Sequence, residues 1–424
     1  MQPVLAVTEN NCSAGAKSSV IPVDIAAAKA VSIATPVRDT EHLPLLAAAG
    51  RVLAGDINAR IDLPPFDNSA MDGYAIRSCE VKGEGPWEFQ LTGRVAAGSS
   101  GSSFATTGNV AVRIFTGAPV PTGFDTVVMQ EHCERDGDRV VIVKGPRSGA
   151  NIRRAGEDVR GGTPILSAGS QLTPQRMALL AGQGFAEVEV LRKVRIGLIS
   201  TGSELQEPGG FLSFGQIYNS NRVMIHSTMA TFAWAQVVDL GIVPDSRAAL
   251  VEILGEASRS CDVLVTTGGV SAGEEDHVVS ALNHHRGALD VMKVAMRPGK
   301  PVKIGLIDKM LFAGLPGNPN AALVTFLQIA LPAIRKTAGL SDVGPTWLPG
   351  VAGFDYEKKL GRTEFVPVRQ IGTDDVGRPI LEMLGRGSSP SLSAMALAEG
   401  IAVLRPDATA IEHGNPLYFE SLIS

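Results

Sequence analysis

Apolar positions fall into two regimes along the chain. From Val194 onward they come in short solid runs separated by longer amphipathic stretches. Residues 195–199, 236–240, 262–266 and 289–294 read as strands, and 302–305 and 311–313 as shorter ones. Helical spacing marks 221–235, 246–259, a segment from about Glu275, and 320–336. Strands alternating with helices predict an open, doubly wound α/β sheet. Ligands of such sheets sit at the carboxyl ends of the strands. Between about 60 and 159 the texture differs. Turn residues recur every few positions and separate β runs at 87–91, 111–115, 126–129 and 139–143, which predicts a small β domain. Residues 23–33 are Ala-rich and helix-like, with Pro36 as the stop. Residues 42–49 are expected to form a second short helix, and 174–182 a third. After Gly339 the pattern is β again, with one helix at 392–398.

The expected organisation is a loose tail at 1–21, a bridging domain from 22–60 and 160–192, and an inserted β domain at 61–159. An α/β domain at 193–340 and a C-terminal β domain at 341–424 follow. A chain of 424 residues is too long for one ordinary core.

Composition narrows the function classes. The apolar share is 44% and the charged share 19%, as in soluble globular proteins. A net charge of −5 argues against general nucleic-acid binding, so an anionic ligand must meet a local basic patch. The four cysteines are scattered, show no metal spacing and read as reduced thiols. No HExxH run is present. The start lacks a basic segment followed by an apolar one, and the longest apolar stretch, 321–334, is too short to span a membrane. These features lead to the expectation of a cytoplasmic protein with no nucleic-acid or membrane partner.

The most telling run is Asp262 to Asp276. A buried strand passes into a loop of small residues, Thr266 to Gly273, whose backbone amides are free to close on an anion. Glu274, Glu275 and Asp276 then start a helix, where acids suit the dipole and also suit a divalent cation held against phosphate. The alternative is a glycine-rich turn with no ligand. Three further loops follow strands: 200–205 with Glu204, 243–246 with Asp245, and 314–319. Together they place Glu204, Asp245 and Asp276 around one crevice. Asp245 is either a cap for the helix from Ser246 or a metal ligand; Glu204 is either a site acid or a solvated one. Lys293, Arg297 and Lys300 flank Pro298-Gly299 and form the basic counterpart. In the β domain, the run 64–74 carries Asp67 and Asp72 with no apolar period, as a binding loop does. The runs 116–123 and 156–158 have the same character, with turn chemistry as the alternative.

Taken together, these segments resemble the MoeA-type molybdopterin molybdotransferases, a family that includes the E domain of gephyrin. The matching runs are FDNSAMDGYA at 66–75, TGAPVP at 116–121, GEDV at 156–159 and TGSEL at 201–205. IYNSN at 217–221, TTGGVSAGEED at 266–276, RPGKP at 297–301 and GLPGNP at 314–319 follow in family order. The resemblance implies an enzyme that takes adenylylated molybdopterin and molybdate, cleaves the phosphoanhydride with Mg2+ and releases AMP. It implies a homodimer whose site is shared between the α/β domain of one subunit and the β insert of the other. Contacts with the molybdopterin adenylyltransferase and with molybdoenzyme maturation factors are implied too.

On matching positions, Asp72, Thr116, Glu204, Asp245 and Asp276 would be catalytic, with Glu204, Asp245 and Asp276 handling the metal. Lys293, Arg297 and Lys300 would contact phosphate or molybdate, and Pro316 and Pro319 would shape the pocket. Asp67, Asp158, Thr201, Gly268, Gly269, Ser271 and Asn318 would add substrate contacts. Arg369 and Ser388 would lie near the molybdate. The chain departs from the family at Ser203 and Asn219, where Asp is frequent, at Arg297, where Lys is frequent, and at Asn320-Ala321, where Val-Ser is usual. Loss of that hydroxyl is expected to weaken molybdate binding. The competing reading is a paralogue that has lost turnover and serves as a molybdopterin-binding or scaffold protein; intact Asp72, Thr116, Glu204 and Asp276 favour the enzyme.

Overall fold

The structure is a computed structural model that describes residues 20–99, 103–268, 281, 287–385 and 391–422. Its contacts divide the chain into two units. One holds the chain up to Gly55, then Ala168–Thr173 and Val188–Ser424; the other holds Asp56–Ser167 and Pro174–Glu187. The first unit opens with α1 (Val23–Ile33), which buries Val23, Ala26 and Ala30. The helix expected at 42–49 is instead a strand, Thr40–Pro44, followed by a single 3-10 turn, Leu45–Ala48. The override is tertiary: Thr40 Oγ1 donates to Glu189 and Arg51 bonds both Glu41 and the Leu191 carbonyl, partners far along the chain that local propensity does not see.

The second unit is built on a six-stranded sheet. Its strands are β1 (Gly73–Ile76), β2 (Trp87–Val95), β3 (Val110–Ile114), β4 (Thr126–Met129), β5 (Cys133–Asp136) and β6 (Arg139–Ile142), in the order β4-β1-β3-β2-β6-β5. Side chains alternate between two small cores. One contains Ala75, Val112 and Val127; the other Tyr74, Ala111 and Val128. Helix α2 (Pro174–Gly182) falls with this unit rather than with the bridging segments.

In the first unit, β7 (Val194–Thr201), β8 (Ala235–Val243), β9 (Val263–Thr267), β10 (Ala288–Lys293), β11 (Pro301–Ile307) and β12 (Met310–Leu315) form one sheet in the order β8-β7-β9-β12-β11-β10. The first four in that order are parallel; β11 and β10 extend it antiparallel. Helices α3 (Ser220–Ala230) and α4 (Arg247–Ser260) connect the parallel strands on opposite faces. Alternation explains the packing: Ile196, Val263 and Val265 face a core shared with Ile225 of α3, while Ile199, Leu264 and Phe312 meet Leu250 and Leu254 of α4. Helix α3 stops earlier than its sequence pattern extends, because Phe232 and Trp234 stack at 4.8 Å and β8 begins at Ala235.

The long helical stretch after β12 is α5 (Pro319–Thr325), a π turn (Phe326–Ala330) and α6 (Leu331–Thr337), nearly all buried. The C-terminal strands are β13 (Leu348–Ala352), β14 (Thr363–Thr373), β15 (Pro379–Met383), β16 (Gly400–Leu404) and β17 (Pro416–Ser421). They run β14-β15-β13-β17-β16, and β14 also pairs with β16, so the sheet closes on itself. The short helix α7 (Leu392–Ala396) precedes β16. Among the described residues no helix is long and apolar enough to cross a membrane.

Candidate active site

β7 has β8 on one side and β9 on the other, and the connection from β8 to β9 through α4 passes back across β7. Chain order therefore reverses between β7 and β9, and a crevice opens at their carboxyl ends. Thr201, Glu204, Asn219, Asn221, Gly268 and Pro319 are among its lining residues. Gly268 has φ +86°, and a β-carbon there would run into the Thr201 carbonyl, so only glycine lets the loop after β9 pass this close to the end of β7. Beneath it, Ser200 Oγ meets Thr267 Oγ1 at 2.7 Å and donates to Asn219 Oδ1 at 3.2 Å. Asn219 Oδ1 also caps α3 by accepting from the Arg222 N–H. The amide found where the family often has Asp thus keeps the capping oxygen.

Polar atoms are left over in this crevice. Among the described residues, Thr201 Oγ1, Asn219 Nδ2 and Asn221 Oδ1 are buried without hydrogen-bond partners. Burying such a group unpaired costs about 1–3 kcal/mol, so three along one wall indicate a polar ligand. Asn221 Nδ2 donates to the Gly317 carbonyl at 2.7 Å and ties the loop before α5 into the same wall.

Sheet topology brings the basic turn to this edge. Because β11 runs antiparallel to β12, its first residues lie where the parallel strands end, and Lys293, the last residue of β10, pairs with Pro301. Lys293, Arg297 and Lys300 therefore share an edge with Thr201, Glu204 and Gly268. Arg297 reaches further, since Met296–Arg297 pairs with Thr363–Glu364 of β14. Its guanidinium donates to Tyr356 Oη at 3.4 Å and lies 3.6 Å from the buried Glu364 carboxylate; Tyr356 donates to the same carboxylate at 2.9 Å. Burial and then that carboxylate push the Tyr356 phenol up. Arg362 flanks Arg297 in an adjoining recess. Sequence reading missed Tyr356, Arg362 and Glu364; the charged run before the apolar start of β14 was the available signal.

Other expected residues stand apart. Asp245 is exposed after β8 and is not among the residues lining the crevice; the cap of α4 is Ser246, whose Oγ accepts from the Ala249 N–H at 3.3 Å. Asn318 Oδ1 caps α5 through the Ala321 N–H at 3.1 Å, and Pro316 is buried beside it. Arg369 sits on β14 in an ion pair with Glu382 at 2.6 Å, away from the lining of the Arg297 groove. Gly269, Ser271, Asp276 and Ser388 lie outside the described residues.

The second unit carries its own cluster. Thr116 donates to Asp72 Oδ1 twice, and these bonds hold the exposed Asp72 carboxyl below the usual carboxylate range. Gly73 follows because a β-carbon there would meet the Val128 carbonyl on β4. Asp67 accepts from the Ala155 N–H and pairs with Arg154 at 2.6 Å, which also keeps it ionised. Asp158 is exposed nearby in sequence, on the loop that returns to Leu63.

Among the described residues no three His, Cys, Asp or Glu side chains converge on a point. Among the described residues the crevice offers one carboxylate, Glu204, with the unpaired oxygens of Thr201 and Asn221. An all-oxygen set with few charges suits magnesium, which keeps much of its water and shares substrate phosphate.

Three family profiles match in sequence order: the MoeA N-terminal region (domain I and II) over residues 21–184, the probable molybdopterin binding domain over 197–336, and the MoeA C-terminal region (domain IV) over 349–422. A molybdopterin molybdenumtransferase of Haemophilus influenzae is 40% identical over 337 residues, 77% of this chain and 80% of that protein. Another, from Nostoc, is 35% identical over 383 residues, 89% and 87% of the two chains. The crystal structure of the molybdopterin biosynthesis moeA protein from Pyrococcus horikoshii superposes with a TM-score of 0.78 at 28% identity, covering 95% of this chain and all of that one.

Proposed function

Because the chain belongs to the MoeA family of molybdopterin molybdenumtransferases, we propose that it takes adenylylated molybdopterin and molybdate, cleaves the phosphoanhydride and releases AMP, leaving molybdenum on the dithiolene. The observation that carries this reading is the shared edge of the α/β sheet. Unpaired buried polar atoms of Thr201, Asn219 and Asn221 line one crevice there, and Lys293, Arg297 and Lys300 follow along the same edge. The phosphate-bearing substrate suits the glycine-bounded crevice. The oxyanion suits the basic turn, which concentrates positive charge in an otherwise acidic protein. Glu204, Thr201 and Asn221 would hold magnesium, which when bound supplies positive charge against the anhydride.

Asp72, kept ionised by Thr116, belongs to the same reaction in this reading, as a residue of the second unit that completes the site of a second copy in an isologous homodimer. The free thiols at Cys79, Cys133 and Cys261 accord with a reducing, cytoplasmic setting. The test is AMP release from adenylylated molybdopterin on addition of molybdate. A protein that binds adenylylated molybdopterin tightly but releases no AMP with molybdate and magnesium present is the scaffold paralogue instead.

A further inference from the structure

Asn320 stands one residue into α5 and is 6% exposed, yet its Oδ1 is buried without a hydrogen-bond partner among the described residues. It lines a groove together with Arg297, Pro298, Tyr356, Glu364 and Ser391, with room for a tetrahedral oxyanion. Nearly every buried amide in a folded protein is paired, and an exception in a cavity beside a cation calls for a ligand. The helix does not use this side chain: Asn318 is its cap, and the next residue, Ala321, is 5% exposed and offers only a methyl group. Nor does the Arg297 cluster use it, because Arg297 is held by Tyr356 and Glu364. A carboxamide is neutral and has two N–H donors and an acceptor oxygen; with no protein bond to fix it, either end is free to turn toward the groove.

We infer that Asn320 is a hydrogen-bond donor to the oxyanion substrate, taking the place that a hydroxyl at 321 does not fill in this chain. This rests on the reading that molybdate occupies the Arg297 groove. Molybdate has only acceptor oxygens. Arg297 supplies charge, and the Asn320 Nδ2–H group supplies a neutral, directional contact that depends on oxygen position rather than on net charge. The arrangement trades stability for binding, as unsatisfied polar groups at functional sites do.

The trade makes the inference testable by a pair of readouts that a structural asparagine would move in the same direction. Asn320→Ala removes the unpaired buried amide, so its melting temperature should be equal to or above that of the parent protein. Its molybdate dissociation constant, measured by equilibrium dialysis of the full chain, should rise by roughly 5–10-fold, the scale of one lost hydrogen bond. Asn320→Asp keeps the shape but puts a negative charge beside the oxyanion, and should bind more weakly still. Arg297→Ala, run in parallel, tests the underlying reading. If Arg297→Ala loses molybdate while Asn320→Ala binds as the parent does, Asn320 is not a donor and the groove reading stands. If neither variant changes binding, molybdate does not occupy this groove at all. A fall in melting temperature of Asn320→Ala without weaker binding makes the residue structural and overturns the inference.

Discussion

The Asp72 carboxylate accepts two hydrogen bonds from Thr116, one from its backbone N–H and one from its hydroxyl, both at 2.8 Å. An exposed acid held this way is oriented as well as ionised, and orientation is what a reacting group needs. Asp72→Asn should lower AMP release by roughly 100-fold or more, the scale of losing one preorganised electrostatic contact. Its thermal melt should be nearly unchanged, because the carboxylate is exposed. Thr116→Val keeps the backbone bond but removes the hydroxyl, so the Asp72 pKa should move up toward its ordinary value, readable by NMR titration of the carboxyl carbon. An unshifted Asp72 titration in Thr116→Val would assign the low pKa to another cause.

If Asp72 of one copy serves the crevice of another, two defective chains should repair each other. Mixing Asp72→Asn chains with Glu204→Gln chains gives heterodimers with one doubly altered and one intact site. With random exchange, activity should recover to roughly a quarter of the parent level for an isologous dimer. Verified subunit exchange with no recovery would place both residues in the same copy's site.

If the oxygen donors of the crevice hold a hard cation, as proposed, AMP release depends on it. Chelation should abolish AMP release and magnesium should restore it. Glu204→Gln, which removes the lining carboxylate, should lower AMP release by roughly 100-fold even in excess magnesium. Full AMP release in excess chelator rules out the metal.

Glu420 links the closed C-terminal sheet to the π turn, accepting from Gln328 Nε2 at 2.7 Å. Burial pushes its carboxyl up to about 7, against the opposing pull of Gln328 and Arg335. A carboxyl raised in the folded state binds its proton more tightly there than in the unfolded chain. Stability from this group is therefore present at low pH and is lost as pH rises from the unfolded value near 4.5 to about 7. The loss is on the order of 3 kcal/mol, because each tenfold change in proton affinity corresponds to about 1.4 kcal/mol. Glu420→Gln keeps the accepting oxygen and cannot ionise. Its melting temperature should exceed that of the parent at pH 8 and show a flatter decline between pH 5 and 7. Parallel melting curves across that range would mean that Glu420 titrates at an ordinary value.

Much of the α/β domain was legible in local pattern. The solid apolar run at 263–265 must be buried on both faces, and alternation with helical periods leaves few arrangements besides a doubly wound sheet. The glycine-rich loop at its end was readable for the same reason, because Gly268 answers a steric demand that shows as composition. Motif order carried the family assignment, since eight short runs in sequence do not depend on three-dimensional placement.

Tertiary structure alone decided what depends on contacts between distant segments. The strand at Thr40–Pro44 exists because remote residues bind it, although its own residues suit a helix. The α4 cap belongs to Ser246 rather than Asp245 because the backbone turns one residue later, a difference that local spacing does not resolve. The π turn at Phe326–Ala330 widens the helix without any mark in local spacing, in a stretch that is apolar but for Gln328. The Arg297–Tyr356–Glu364 cluster forms because a two-residue strand, Met296–Arg297, joins β14, and the unpaired amide of Asn320 shows only in the packing of α5. Sequence determines which groups are available and what period they follow; which of them meet, and which are left buried without a partner, depends on strand order and register, and these are set by the packing of the whole unit.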